Sequence, residues 1–502
     1  MNPVSQLIER GLRLGPPLTR DLTVERDLPV PMPDGTVLLA DRWAPRAGGD
    51  KLPVALLRSP YGLATLDWVI RQPWFGDSIV LTGVSYLGYV QWAVAGQLPP
   101  QVKAMIPQLT ESALTLDFLR ADAFSLETPF GWGVLIAGQE RRLGMLRGVL
   151  ETGKTRRALA TRPLADADLA ALGQRSRYLQ DILAHDADDP YWAAINHRDR
   201  VAATAVPVSS VAGWYDIFLP GQLRDFGVLQ AAGRPARLTV GPWTHLSMDG
   251  TPLRETLEFG LACARGEQPP PRAPVRLYVM GEDTWRDFAS WPPSGYSPRP
   301  FYLGADGSLG AEPPAGPTAV NPVAAGSAPD GYRYDPAADP TPAAGGARMV
   351  RGGAGRVDNT ALEARPDVLT YTTVPLEADT EVIGEVSARI WFRSTRPYAD
   401  VFVRLCDVDP RGRSGNVCDG LVSLSGADQL SRAEVRLWPT AYRFKRGHRI
   451  RVQVSSGAFP RFARNSGTGE PRATAMRLLA ADQSVYHDPE HPSAITLPVQ
   501  AG

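Results

Sequence analysis

Hydrophobic and polar positions change their spacing twice along the chain, and each change marks a different kind of element. From Leu28 to Pro45 two apolar runs meet at Asp34-Gly35, the pattern of an antiparallel hairpin closed by a turn. Short apolar runs follow at Pro53–Ser59, Ser78–Thr82, Val102–Leu109, Pro207–Ala212 and Ala236–Val240. Helix-type stretches stand among the first of them, at Thr65–Gln72 and in YVQWAVAGQL after Gly88. Strands alternating with helices predict a parallel sheet with helices on its faces. From about Ser112 to Val206 the spacing lengthens into helical runs such as DLAALGQRSRYLQDILAH. That stretch predicts a helical insertion over the strand ends, where α/β folds hold their ligand crevice. Beyond about Leu261 the helices fade. The runs VRLYVMG, RPFYLG, VIGEVSARIWFRS, ADVFVRLCDV and HRIRVQVSS, separated by Gly and Pro, predict an antiparallel β domain reaching Val499. Within it Pro313–Arg356, rich in Ala, Gly and Pro, reads as an extended surface loop. The predicted domains are 1–111 with 207–260 around the parallel sheet, 112–206 as the insertion, and 261–502 as the β domain.

Composition narrows what such a chain binds. With 502 residues it exceeds one core and fits two or three domains. Lys plus Arg and Asp plus Glu each number 53, so no global field recruits nucleic acid or an anionic membrane, and the expected partner is a small molecule. Three cysteines, Cys263, Cys406 and Cys418, are too few and too scattered for a disulfide framework or a metal cluster, which points to a reducing, cytoplasmic setting. The first residues, MNPVSQLIERGLRLGPPLTRD, lack a continuous apolar stretch of the secretory kind, and no later run approaches the roughly 18 apolar residues of a membrane helix. A homo-oligomer is left open.

Candidate chemistry begins at Asp77–Gly88, DSIVLTGVSYLG, which reads strand, sharp turn, helix. A serine on such a bend projects its hydroxyl above the sheet edge, with helix N–H groups behind it. Ser85 is the candidate nucleophile, although the motif's second glycine stands at Gly88, one place later than the generic elbow, with Leu87 in its usual position. A serine nucleophile needs a base, and the base an orienting carboxylate. Of six histidines, His185 and His197 lie in the helical insertion and His448, His487 and His491 in the β domain; only His245, in LTVGPWTHLS, follows a strand of the predicted parallel sheet. Asp216, in SSVAGWYDIFLPGQ, likewise follows the 207–212 strand. The order Ser85, Asp216, His245 is that of α/β-hydrolases. An isolated His or Asp after a strand is commonly a cap or a surface residue; three on successive strand ends make a site. In the insertion, Phe130 and Trp132 are candidates for the substrate wall, beside the plainer reading of an aromatic core pair.

The motifs GVSYLG around Ser85, GWYD ending at Asp216 and GPWTH ending at His245, with RSPYG from Arg58 to Gly62, resemble the CocE/NonD family of serine hydrolases. It includes cocaine esterase, α-amino acid ester hydrolases, glutaryl acylases and X-Pro dipeptidyl-peptidases. The resemblance implies an α/β-hydrolase domain, a helical cap and a C-terminal jelly roll, and hydrolysis of an ester or amide through an acyl-enzyme with no cofactor or metal. It further implies that Tyr61 supplies an oxyanion-hole phenol beside the backbone N–H of Tyr86. A peptidase or acylase is the alternative activity, and an inactive binding module the alternative of another class.

One segment departs from the family. Between Gly62 and Thr65 the helix and strand that other members carry, ending in a motif similar to Gln-Asp-x-Arg-Gly, are missing. Strand 53–59, helix 65–72 and strand 78–82 can still form one βαβ unit. The expectation is that the opening hairpin moves onto the freed edge and pairs directly with Pro53–Ser59.

Overall fold

A computed structural model describes residues 17, 19–49, 51–57, 63–113, 124–139, 152–186, 189–315, 328–349 and 353–501. The chain forms two compact units. The first comprises Met1–Leu114, Ala194–Tyr278 and Trp285–Trp291; the second comprises Thr115–Ala193, Val279–Thr284 and Pro292–Gly502.

The first unit is built on a seven-stranded sheet in the order β3 (Leu52–Leu56), β4 (Phe75–Val84), β5 (Val102–Gln108), β6 (Val208–Tyr215), β7 (Ala236–Thr244), β8 (Val275–Val279) and β9 (Thr284–Phe288). Neighbours from β3 to β8 run parallel. β6 is buried at every position and β4 and β5 nearly so, as continuous apolar runs must be when helices cover both faces. Ile79, Leu81 and Met105 point to one face, where they pack with Leu66 and Val69 of helix Leu63–Ile70 and with Trp92. Val80, Ala104 and Ile106 point to the other, against Phe259 and Cys263 of helix Thr251–Ala264. Each of the buried Val, Leu, Ile, Met and Phe side chains contributes about 1.5–3 kcal/mol by leaving water.

The predicted βαβ unit is present: β3 and β4 are parallel neighbours, with Val54 opposite Ile79 and Leu56 opposite Leu81. The expected docking of the hairpin is not. Among the described residues β1 (Leu22–Pro31) and β2 (Val37–Pro45) pair only with each other, leaving β3 as the edge of the large sheet. Proline explains much of this. Pro53 on β3 and Pro29 and Pro31 on β1 have no N–H to give to a ladder, and β1 is interrupted by a bulge between Glu25 and Leu28. The hairpin turn is also longer than a tight two-residue turn. Pro31 faces Val37, and residues 32–36 close through Met32 N–H to the Thr36 carbonyl (2.8 Å) with Gly35 at φ 84°.

In the second unit, helices Glu127–Gln139, Thr152–Leu159, Ala167–Leu172 and Arg177–Ala184 enclose a cluster of Leu126, Phe130, Leu159 and Leu179, joined by Phe459 and Ala463 of the β region. The run DLAALGQRSRYLQDILAH is two helices. Gly173 ends the first in the left-handed region at φ 76°, and the Ser176 side chain caps the second by accepting from Leu179 N–H. Two antiparallel sheets follow, one of nine strands and one of four in the order Leu369–Thr372, Arg449–Ser455, Tyr398–Val408, Ser414–Ser425. The stretch 313–356 is not loop throughout. Asp330–Tyr334 is a strand paired with Ala481–Tyr486, burying Tyr332 and Tyr334 and exposing Arg333, the alternation of a half-buried strand. Among the described residues no helix is long and apolar enough to cross a membrane.

Candidate active site

The site stands at the carboxyl ends of β4, β6 and β7. Ser85 follows β4 directly, and its N–H reaches the Gln108 carbonyl of β5 (2.9 Å). Its backbone is held at φ 62°, ψ −129°, a conformation that a residue with a Cβ adopts at a cost of about 1–3 kcal/mol. The helix Tyr86–Trp92 starts at once, and the N–H groups of Gly88 and Tyr89 donate to the Ser85 carbonyl (2.9 and 3.0 Å). This tight reversal explains both glycines. A Cβ on Gly83 would stand 2.5 Å from the Leu87 Cβ, and one on Gly88 would stand 2.5 Å from the Thr110 Cγ2 and 2.9 Å from the Gly83 carbonyl oxygen. The second glycine therefore sits at 88 because that is where the helix meets the backbone of β4 and the end of β5.

Asp216 and His245 arrive on neighbouring strands. The GWYD and GPWTH motifs lie side by side, Gly213 opposite Gly241, with a register shift before Tyr215 pairs with Thr244. A Cβ on Gly213 would stand 2.5 Å from the Trp243 carbonyl oxygen, and one on Gly241 would run into the Trp243 ring. Glycine at both places lets the strand ends close on each other. Asp216 is fully buried; its Oδ1 accepts from Phe218 N–H (2.9 Å) and its Oδ2 lies 2.6 Å from His245 Nδ1. His245 Nε2 lies 3.0 Å from Ser85 Oγ. With Nδ1 donating to the carboxylate, Nε2 is the ring nitrogen that accepts from the serine hydroxyl. The Phe218 ring stands edge-on to the imidazole, centroids 5.4 Å apart, and helps fix its plane. Phe218 was not a candidate from the sequence; its signal is its place two residues after Asp216, where the turn that binds the carboxylate also aims a ring at the base.

Ser85, Asp216 and His245 are thus brought together in one unit, with the N–H of Tyr86 at the head of the adjoining helix. Tyr61 lies outside the described residues, as do Arg58, Ser59, Pro60 and Gly62. Phe130 and Trp132 belong to the second unit, where Phe130 is 4% exposed within the helical cluster and Trp132 is half-buried on the same helix. Among the described residues no group of three or more His, Cys, Asp and Glu side chains is arranged to hold a metal ion.

A parallel sheet carrying a hydrogen-bonded serine, histidine and aspartate at its carboxyl end defines an α/β-hydrolase-type serine hydrolase. Comparison with known proteins agrees. The X-Pro dipeptidyl-peptidase (S15) family matches residues 62–247, and the X-Pro dipeptidyl-peptidase C-terminal non-catalytic domain matches 270–496. Cocaine esterase of Rhodococcus sp. (strain MB1 Bresler) is 31% identical over 95% of this chain and 98% of its own. The chain belongs to the CocE/NonD family of serine hydrolases. Two solved structures share its fold. An α-amino acid ester hydrolase superposes with a TM-score of 0.80 at 20% identity, covering 99% of this chain and 100% of that one. A CocE/NonD family hydrolase of Staphylococcus aureus gives 0.65 at 16% identity, covering 95% and 94%.

Proposed function

We propose that this chain is an acyl esterase in which Ser85 is the nucleophile, His245 the general base and Asp216 the orienting carboxylate. The observation that carries the assignment is the unbroken relay, 3.0 Å from Ser85 Oγ to His245 Nε2 and 2.6 Å from Nδ1 to Asp216 Oδ2. His245 takes the hydroxyl proton as Ser85 Oγ attacks the ester carbonyl, and Asp216, buried and already bonded to Phe218 N–H, stabilises the imidazolium. The N–H of Tyr86, at the positive end of its helix, and the phenol of Tyr61 stabilise the tetrahedral oxyanion. The imidazolium returns its proton to the departing alcohol, and water, activated by the same histidine, releases the acid and restores Ser85. The enzyme works in the cytoplasm on small-molecule esters.

The ester preference rests on the cocaine esterase likeness, which covers nearly the whole of both chains. The S15 family match supports a second reading, amide or X-Pro dipeptide cleavage by the same relay. Parallel assays of a p-nitrophenyl acyl ester and an X-Pro p-nitroanilide separate them. Faster turnover of the ester is expected, with Ser85→Ala lowering it by about 10⁶. Turnover of the anilide alone would reassign the enzyme as a peptidase, and a serine variant that keeps its ester activity would remove the assignment.

A further inference from the structure

The second unit contains a cleft of about 330 Å³ that none of the chemistry above uses, in the size range of small-molecule sites. It lies between the helical layer and the four-stranded sheet, walled by Leu159 and Arg162 from the helices, Asp400 from the sheet, and Phe459, Arg464 and Asn465 from the segment after Ser455. Asp400 is 4% exposed, yet only its Oδ1 is occupied, accepting from Ser423 Oγ (2.7 Å) and Asn465 Nδ2 (2.7 Å). Its Oδ2 has no hydrogen-bond donor among the described residues. Burial of this carboxyl raises its pKa to about 6, so it is ionised at neutral pH while still short of a partner.

Cations line the same cleft without meeting it. Arg464 donates to the carbonyls of Pro336 (3.2 Å) and Ala160 (3.1 Å), and its guanidinium lies 4.8 Å from the Phe459 ring centroid; these contacts orient it and leave its charge without a carboxylate partner among the described residues. Arg162 makes no hydrogen bond or ion pair among the described residues; burial, and after it the like charge of Arg162, lowers the pKa of Arg464. The other charged groups in the cleft are paired, Arg472 with Asp186 and Glu470 with Arg477 and the Thr468 hydroxyl. A buried carboxylate with one oxygen lacking a donor, and two arginines that have no anionic partner among the described residues, therefore line one space without pairing with each other.

We propose that this cleft binds a small zwitterion with an apolar body, an ω-amino acid or a short peptide, its ammonium on Asp400 and its carboxylate between Arg162 and Arg464. The apolar lining, including Leu159 and Phe459, covers the chain between the two charges. The site is independent of the Ser85 relay and is tested without turnover. Titration calorimetry of the full chain with ε-aminocaproate, caproate and hexylamine asks for both charges at once. The zwitterion is expected to bind at millimolar Kd or tighter, with each single-charge analogue at least about tenfold weaker. Asp400→Asn and Arg162→Met should each weaken the zwitterion by about tenfold or more. Arg162 is exposed, so its variant keeps the test open if Asp400→Asn does not fold. Caproate binding as tightly as the zwitterion, affinity untouched by Arg162→Met, or no heat from any of the three ligands would overturn the proposal.

Discussion

Ser85 carries two demands, a hydroxyl aimed at His245 and a backbone at positive φ, and its surroundings are shaped around both. Gly83 is the clearest case. A methyl group there meets the Leu87 backbone at 2.8 Å, where no flexible side chain can yield. Gly83→Ala is therefore expected to cost about 1–3 kcal/mol of stability and to lower kcat by displacing Ser85, measured by denaturant unfolding and ester turnover on the same preparation. Asp216→Asn leaves the shape of the carboxylate and removes its charge. By the behaviour of serine proteases it should lower kcat by about 10⁴ while the melting temperature changes little. Ser85, Asp216 and His245 were legible in the sequence because each follows a strand of one sheet, and of six histidines only His245 follows a strand of the predicted parallel sheet. The displaced second glycine was visible but unexplained there, since its cause is the approach of Thr110, which no local pattern reveals.

The helix that opens at Tyr86 is held from its far side. Tyr89 donates to the Ile195 carbonyl (2.6 Å), and its ring stacks on His197 with centroids 5.1 Å apart. His197 is buried, its Nδ1 has no hydrogen-bond partner among the described residues, and burial followed by the nearby Arg200 charge lowers its pKa to about 4. The sign follows from the unfolded value of about 6.5. The unfolded chain binds the proton first, so this contribution to stability is complete above pH 6.5 and is lost as pH falls toward 4, by up to about 3 kcal/mol. Melting curves from pH 7.5 to 4.5 should show a loss in the wild type that His197→Phe, which keeps the stack and cannot protonate, reduces. Parallel slopes for the two proteins would contradict it. At this scale the hairpin's placement was the misreading. Apolar alternation identified β1 and β2, but which edge a strand joins depends on donors along its outer side, and prolines on both candidates remove them.

Across the molecule, the change from helical to β-type spacing was legible because it extends over hundreds of residues. The pairing of Asp330–Tyr334 was hidden because its strand lies in an Ala/Gly/Pro-rich stretch and its partner is far along the chain. In the second unit, buried charge joins parts distant in sequence. Glu127 of the helical layer takes Arg348 in a two-point pair (2.6 and 2.7 Å), and Asp419 is shared by Arg404 and Arg461 (3.1 and 2.5 Å), whose charges hold its carboxyl below the usual range against the opposing effect of burial. Glu127→Gln leaves Arg348 nearly buried without a counter-charge and should lower stability by about 2 kcal/mol or more; adding Arg348→Met should recover part of the loss in a double-mutant cycle. The central claim, however, is the reactivity of one hydroxyl. Treatment of the folded chain with a fluorophosphonate, followed by peptide mass mapping, should place a single adduct on Ser85 and give none in His245→Ala. A folded chain that stays unlabelled, or carries its adduct on another residue, would contradict the account.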